Sequence, residues 1–272
     1  STFKAALRHP VSVLRPEAAR ALILQAEPEG ALRYEEAAVE RILALTRGHP
    51  YLTQLTCQLL FDRAFDRSPE GMPLVTAEDV EAAAPTVLEM GGNALQWIWD
   101  GLPPAERIIF SAIASRAGEG AMFSEDDISA ALQGAGIRIL VKELNLAPQT
   151  LVNWQMLERA DGGYRFFVEL MRRWVAEHCP LDKVKDELDR LNPLADTLYQ
   201  AAQGFYQAGK NEQAKVQLRQ ALEANLNHLK ARLLLGAILR EEGRLAEAVA
   251  EFEEAYRLDE REGRFELLRT LL

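Results

Sequence analysis

One short motif in this sequence is typical of a loop that binds phosphate. Residues 204–210 carry the pattern Gly-x-x-x-x-Gly-Lys, in which backbone N–H groups and a lysine would hold phosphate oxygens. The next residue is Asn211, where such a loop places a Ser or Thr hydroxyl on magnesium. The surrounding pattern predicts a helix before and after the motif and no strand. We therefore interpret the match as coincidental and expect no nucleotide hydrolysis by this sequence alone.

Other groups that could act in catalysis or bind a metal are dispersed. The histidines are His9, His49, His178 and His228. Their separation indicates neither a metal-ligand spacing nor a Ser-His-Asp or Cys-His arrangement. Cys57 and Cys179 lie far apart and predict no disulfide framework, which is typical of a reducing cytoplasm. The sequence thus predicts no catalytic residues and no metal site.

A corner between two helices is predicted at Gly48-His49-Pro50. Glycine favours the left-handed position after a helix, and proline favours the first turn of the next one. Such a corner can form without any ligand, so by itself it indicates only a turn. The flanking pattern predicts helices at about 16–26, 35–47 and 50–67, and Thr76 with Asp79 forms a capping box that opens a fourth helix.

The segment from Leu14 to Leu60 resembles the helical lid of a STAND NTPase, the signalling branch of the AAA+ ATPases. In that family a Gly-x-Pro element at the start of a lid helix lies against the adenine of the bound nucleotide. The resemblance implies that Gly48, His49 and Pro50 contact ATP or ADP held by an upstream nucleotide-binding domain. No cofactor is expected for the present chain alone.

A second module is predicted to contain three helices followed by a hairpin. A proline-led helix begins near Pro104, Ser124 with Asp127 forms a capping box, and a third helix is predicted from Pro148 to Leu157. A turn at Asp161-Gly162-Gly163 then separates two strands. This order predicts a winged helix, which in STAND proteins follows the lid.

Winged helices often bind DNA, but the charge of this one does not favour that function. The helix expected in the reading position, residues 147–157, contains no Lys or Arg to neutralise phosphates. Arg165, Arg172 and Arg173 could form a small basic patch near the wing. Residues 168–175 lack the Met-His-Asp triplet that senses phosphate in some STAND branches, so no phosphate sensor is assigned.

A third module repeats with a period of 34 residues, which is the tetratricopeptide (TPR) period. The matching pairs are Gly209/Gly243, Ala214/Ala248, Leu218/Phe252, Ala221/Ala255 and Ala202/Gly236. Two repeats fit, followed by one more helix from about Phe265, which either caps the array or precedes further repeats. The fold class is therefore mainly α: a helical lid (1–92), a winged-helix domain with a small β-hairpin (93–180), and a linker helix with two TPR hairpins and a further helix (181–272).

Composition and net charge restrict the possible partners and the location of the protein. The chain has 272 residues, of which 48% are hydrophobic and 26% are charged, and its net charge is -10. An acidic chain is a poor ligand for phosphate backbones, so nucleic-acid binding is not expected. No apolar run reaches the length that spans a bilayer, and we expect a soluble cytoplasmic protein. The start at Ser1 and the end at Leu272 within an apolar helix suggest a piece of a longer protein.

Two functions follow from these observations. The first is the regulatory and sensor part of a bacterial STAND-type signalling ATPase, in which the repeats bind a protein or peptide partner and control homo-oligomerisation. The alternative is a non-enzymatic winged-helix/TPR adaptor or a transcription regulator that binds DNA.

Overall fold

The computed structural model describes residues 13–28, 30–67, 71–137, 141–160, 162–184 and 186–271. His9 and the hairpin residue Asp161 therefore lie outside the described residues. The fold is mainly α, with TPR-like helical hairpins and two small strand pairs among these residues, as the sequence predicts. The contacts divide the chain into two compact units, 1–97 with 167–174 and 98–166 with 175–272. The three predicted domains stay a prediction.

In its described residues the first unit contains four complete α-helices and parts of two more. Its elements are α1 (Pro16–Ile23), β1 (Arg33–Tyr34), α2 (Glu36–Thr46), α3 (Pro50–Arg67), β2 (Leu74–Val75), α4 (Ala77–Met90) and the start of α5 (Gly92–Gly101). The predicted capping box before α4 is confirmed, since Thr76 and Asp79 exchange side-chain and backbone hydrogen bonds. The core contains Ile23, Ile42, Leu52 and Val87.

A short parallel sheet in this unit was not predicted from the sequence. Arg33 pairs with Leu74 and Tyr34 with Val75. Because each strand leads directly into a helix, this pairing places the starts of α2 and α4 side by side. Two-residue strands leave almost no alternation in sequence, so periodicity could not reveal them.

The second unit begins with three helices and a hairpin. Its elements are α6 (Pro104–Ala114), α7 (Glu125–Gly134), α8 (Val141–Asn153), β3 (Leu157–Ala160) and β4 (Gly163–Phe166). The predicted capping box at Ser124 is present. The two strands pair antiparallel, and Phe123 forms a further bridge with Tyr164. Phe110, Phe123 and Phe166 pack ring against ring in the core.

The predicted bounds of the third helix were wrong. The helix runs from Val141 to Asn153 with Pro148 inside it, and Leu157 belongs to β3. A proline is well placed in the first turn of a helix, which is why a start at Pro148 was expected. The helix continues through it because Ala147 and Leu151 are buried on the same face. Its range includes Lys142, so the helix does contain a basic residue.

The chain then passes through two connecting helices into the repeats. The elements are α9 (Glu169–His178), α10 (Asp186–Asp189), α11 (Pro193–Gln207), α12 (Asn211–Ala224), α13 (Leu229–Glu241), α14 (Leu245–Leu258) and α15 (Glu260–Leu271). Helices α11 with α12 and α13 with α14 form two hairpins, and α15 packs on α14. Gly209 and Gly243, 34 residues apart, close the two turns in the left-handed region.

Candidate functional site

The predicted corner at Gly48-His49-Pro50 joins α2 to α3. Two successive residues adopt the left-handed conformation, Arg47 at φ 51° and Gly48 at φ 71°. The prediction gave this conformation to Gly48 alone. Arg47 tolerates it while its guanidinium lies over the Phe167 ring, 5.7 Å from the centroid. The chain therefore reverses sharply before Pro50 begins α3.

Gly48 is held by the segment that leads into α1. The Leu14 N–H donates to the Gly48 carbonyl at 2.8 Å. A Cβ atom at position 48 would lie 3.0 Å from the Leu14 carbonyl oxygen and 3.1 Å from Ala19 Cβ. A larger residue would thus be strained by its φ angle and crowded by its neighbours. The corner is a fixed point at which three segments of the first unit meet.

His49 caps the start of α3 and is half-buried. Its carbonyl accepts from the Thr53 N–H at 2.9 Å, and its Nδ1 accepts from the Leu52 N–H at 3.4 Å. Burial lowers the pKa of His49, so its imidazole is neutral at neutral pH. The corner consequently offers a neutral ring and the Pro50 ring, which suit contact with a flat, uncharged group.

A buried hydroxyl pair holds the corner together from inside. The Thr46 hydroxyl donates to the Ile42 carbonyl at 2.8 Å, and the Thr53 hydroxyl donates to Thr46 Oγ1 at 2.9 Å. Both side chains are fully buried. This pair was not predicted from the sequence, although two threonines seven residues apart across a predicted corner were the available signal.

The arginines that could have formed a basic patch are each paired with a carboxylate. Arg165 pairs with Glu158 across the hairpin. Arg172 donates to both oxygens of Glu169, and Arg173 contacts Glu169 and Glu81 at 3.0 Å each. These ion pairs neutralise the charge that phosphate binding would use.

The phosphate-loop motif at 204–210 has the helical setting that the sequence predicts. Gly204 lies inside α11, Gly209 closes the turn, and Lys210 is the residue before α12. Within the part of the chain that the structure describes, no group of three or more His, Cys, Asp or Glu side chains could hold a metal ion. In the same residues no helix is long and apolar enough to cross a membrane.

The two TPR-like hairpins place different residue pairs at the same position of the repeat. The first repeat packs Ala202 in α11 and Leu218 in α12, and the second places Gly236 and Phe252 at the matching positions. A Cβ atom on Gly236 would lie 2.6 Å from the Phe252 ring. The larger ring thus requires the smaller residue, which explains why the second repeat has glycine.

Comparison with known proteins identifies the second hairpin as a tetratricopeptide repeat. A family model described as tetratricopeptide repeat matches residues 229–262, which include all of α13 and α14. Repeats of this kind typically mediate contacts between proteins. No curated protein matches the chain. No solved structure matches it either.

Proposed function

We propose that this chain is the regulatory and sensor part of a STAND-type signalling ATPase. In this proposal the first unit is the helical lid, and Gly48, His49 and Pro50 contact ATP or ADP bound in an upstream domain. The observation that supports it best is the rigid corner, where a neutral imidazole and a proline ring sit at the start of a lid-like helix. The repeats would bind a protein or peptide that releases the lid and permits oligomerisation.

The module after the lid supports the same assignment. Three helices precede a β-hairpin, and Phe123 adds a third bridged segment before α7. This order of elements supports the proposal of a winged helix, the domain expected after a STAND lid. DNA binding is less well supported, because Arg165, Arg172 and Arg173 are paired with carboxylates. A cytoplasmic location belongs to the same proposal.

The test is to quantify nucleotide that co-purifies with the full-length gene product. Wild type is compared with Pro50→Ala and with Pro193→Ala, a matched control in which the proline also opens a helix but lies in the first repeat. We expect bound ADP or ATP in the wild type and the control, and at least about a tenfold weaker affinity in Pro50→Ala, which corresponds to about 1.4 kcal/mol. Nucleotide that binds equally well to all three proteins would show that the corner does not contact it. A full-length product that binds no nucleotide would refute the ATPase assignment.

A further inference from the structure

Helix α10 is a single turn that lies between α6 and the repeats. Its Leu188 side chain is buried, and Glu187 forms an ion pair with Arg107 of α6 at 2.9 Å. A helix of 4 residues is too short to be stable by itself. The position of α10 therefore depends on its contacts with α6 on one side and with the repeats on the other.

Polar groups form the contact between α10 and the repeats. Asn225, directly after α12, donates from Nδ2 to the Leu188 carbonyl at 2.6 Å. The Asp189 carboxylate lies 3.2 Å from His228 Nδ1 and 3.4 Å from Lys230 Nζ at the start of α13. Asp189, Asn225 and His228 are all buried. The five residues Leu188, Asp189, Asn225, His228 and Lys230 are here called the joint.

One nitrogen of His228 faces two groups in the joint. As the residue before α13, His228 accepts from the Ala231 N–H through Nδ1 at 3.3 Å. A nitrogen that accepts carries no proton, so it cannot also donate to the Asp189 carboxylate. A proton added to Nδ1 would take the acceptor away from Ala231. Within the part of the chain that the structure describes, Asp189 Oδ1 and His228 Nε2 are the two buried side-chain polar atoms without a hydrogen-bond partner. The joint thus contains polar atoms whose burial is costly.

The charges around His228 come from three helices. Asp189 of α10 and Asp196 of α11 are negative, Lys230 of α13 is positive, and the Tyr199 ring of α11 lies 5.1 Å from the imidazole. Burial outweighs the two carboxylates and lowers the pKa of His228. Once the joint opens, water reaches the imidazole and its pKa returns to about 6.5. Acid therefore favours the open joint.

We propose that the joint is a pH-sensitive switch, which holds α10 against the repeats while His228 is neutral and releases α10 when His228 is protonated. The repeats stay folded, because their core, with Leu218, Leu235 and Phe252, lies outside the joint. Helix α10 keeps its ion pair with α6, so opening separates the repeats from α6. The switch needs neither a nucleotide nor a partner and does not rest on the proposed function.

The size of the effect follows from proton linkage. At about pH 5.5 an imidazole with a pKa of about 6.5 is protonated about ten times as often as it is neutral. Relative to about pH 8, protonation can therefore favour the open joint by at most about elevenfold. We expect a shift of about five- to tenfold toward the open joint. Carboxylates of ordinary pKa stay ionised in this range and add little.

The experiment is hydrogen exchange of the 272-residue chain between about pH 8 and about pH 5.5, with each rate divided by the intrinsic rate at that pH. The Arg190 and Leu191 amides donate to carbonyls of α10 and report on the joint. Their exchange should quicken about five- to tenfold at the lower pH. Amides in the middle of α12 should exchange at least about tenfold more slowly than these two at every pH, because the repeats stay folded.

Two results of this measurement would overturn the proposal. Corrected rates at Arg190 and Leu191 that do not change with pH would show that the joint does not respond to protonation. Equal rates in α10 and α12 would show that the joint opens only when the repeats unfold.

Two variants assign the effect to His228. His228→Asn keeps a side-chain oxygen that can cap α13 but has no titratable group, so it should abolish the pH dependence at Arg190. His178→Asn, the same change at an exposed histidine of α9, should leave the pH dependence unchanged. A pH dependence that survives the first variant, or disappears in the second, overturns the role of His228.

The wild-type protein provides a test that does not depend on the folding of a variant. The His228 imidazole is titrated by NMR in the 272-residue chain, and its pKa should lie below the ordinary value of about 6.5. A pKa above that value would mean that acid closes the joint, and it would overturn the proposal.

Discussion

The two TPR-like hairpins carry core residues of different size at matching positions, and this difference gives the sharpest prediction. Gly236→Ala gains helix propensity, worth about 1 kcal/mol. The new Cβ, however, would lie 2.6 Å from the ring of Phe252, which is fully buried and cannot turn toward solvent. Overpacking of a core costs about 1 to 3 kcal/mol. The balance is a destabilisation of up to about 2 kcal/mol.

A matched substitution has the opposite sign. Gly204 also lies inside a repeat helix, but a Cβ atom there would meet nothing within 4 Å. Gly204→Ala should therefore stabilise α11 by about 0.5 to 1 kcal/mol. The two substitutions are chemically identical, but Gly204 is exposed whereas Gly236 is buried against the Phe252 ring.

The pairing is tested by a double-mutant cycle. Phe252→Leu alone leaves space in the core and costs about 1 to 2 kcal/mol. Gly236→Ala with Phe252→Leu recreates the Ala202–Leu218 pair of the first repeat, so the double variant should be more stable than the sum of the single effects by about 1 to 3 kcal/mol. Native-state hydrogen exchange of α13 amides measures the local free energy of opening. Additive effects, or equal effects of Gly236→Ala and Gly204→Ala, would refute the reasoning.

Three further predictions concern buried or capping polar groups. Thr46→Val leaves the buried Thr53 hydroxyl without its acceptor and should destabilise the first unit by about 1 to 3 kcal/mol in thermal unfolding, whereas the exposed Thr197→Val should have little effect. Burial lowers the pKa of His228. Because the imidazole binds a proton more readily in the unfolded chain, the stability of the repeats should fall as the pH drops below about 6.5. His228→Asn keeps a side chain that can cap α13 and should flatten the dependence of stability on pH. An unchanged pH profile of stability, measured by hydrogen exchange, would contradict this prediction. Thr76→Ala removes a capping box and should lower the free energy of unfolding by about 1 kcal/mol. An unchanged free energy would show that the cap contributes nothing.

Features that depend on neighbouring residues could be predicted from the sequence. The two capping boxes and the left-handed glycine at the corner, Gly48, follow from short patterns, and the structure contains them. The 34-residue period could also be recognised in the sequence, because each repeat needs small and large residues at the same positions where its helices cross.

Features that depend on distant residues could not be predicted. The pairing of β1 with β2 joins segments about 40 residues apart and leaves no periodic signal. The left-handed Arg47 contacts the ring of Phe167, which lies more than 100 residues later, and α8 begins before Pro148. For the candidate site, the sequence predicted the corner and its helices, whereas the hydrogen bond between Thr46 and Thr53 was found only in the structure.

The parallel pairing of β1 and β2 has a consequence for the order in which the first unit folds. The strands can meet only after the intervening chain, including α2 and α3, has folded back on itself. Forming their hydrogen bonds therefore has the entropic cost of closing a long loop. Two hydrogen bonds of 2.9 Å hold these segments together, from the Arg33 N–H to the Pro73 carbonyl and from the Glu35 N–H to the Val75 carbonyl. They form late in folding. A chain emerging from the ribosome would hold α1 to α3 without these two hydrogen bonds until β2 had been synthesised. Helices α1 to α3 are thus expected to gain their full rigidity in a single step, when the second strand arrives.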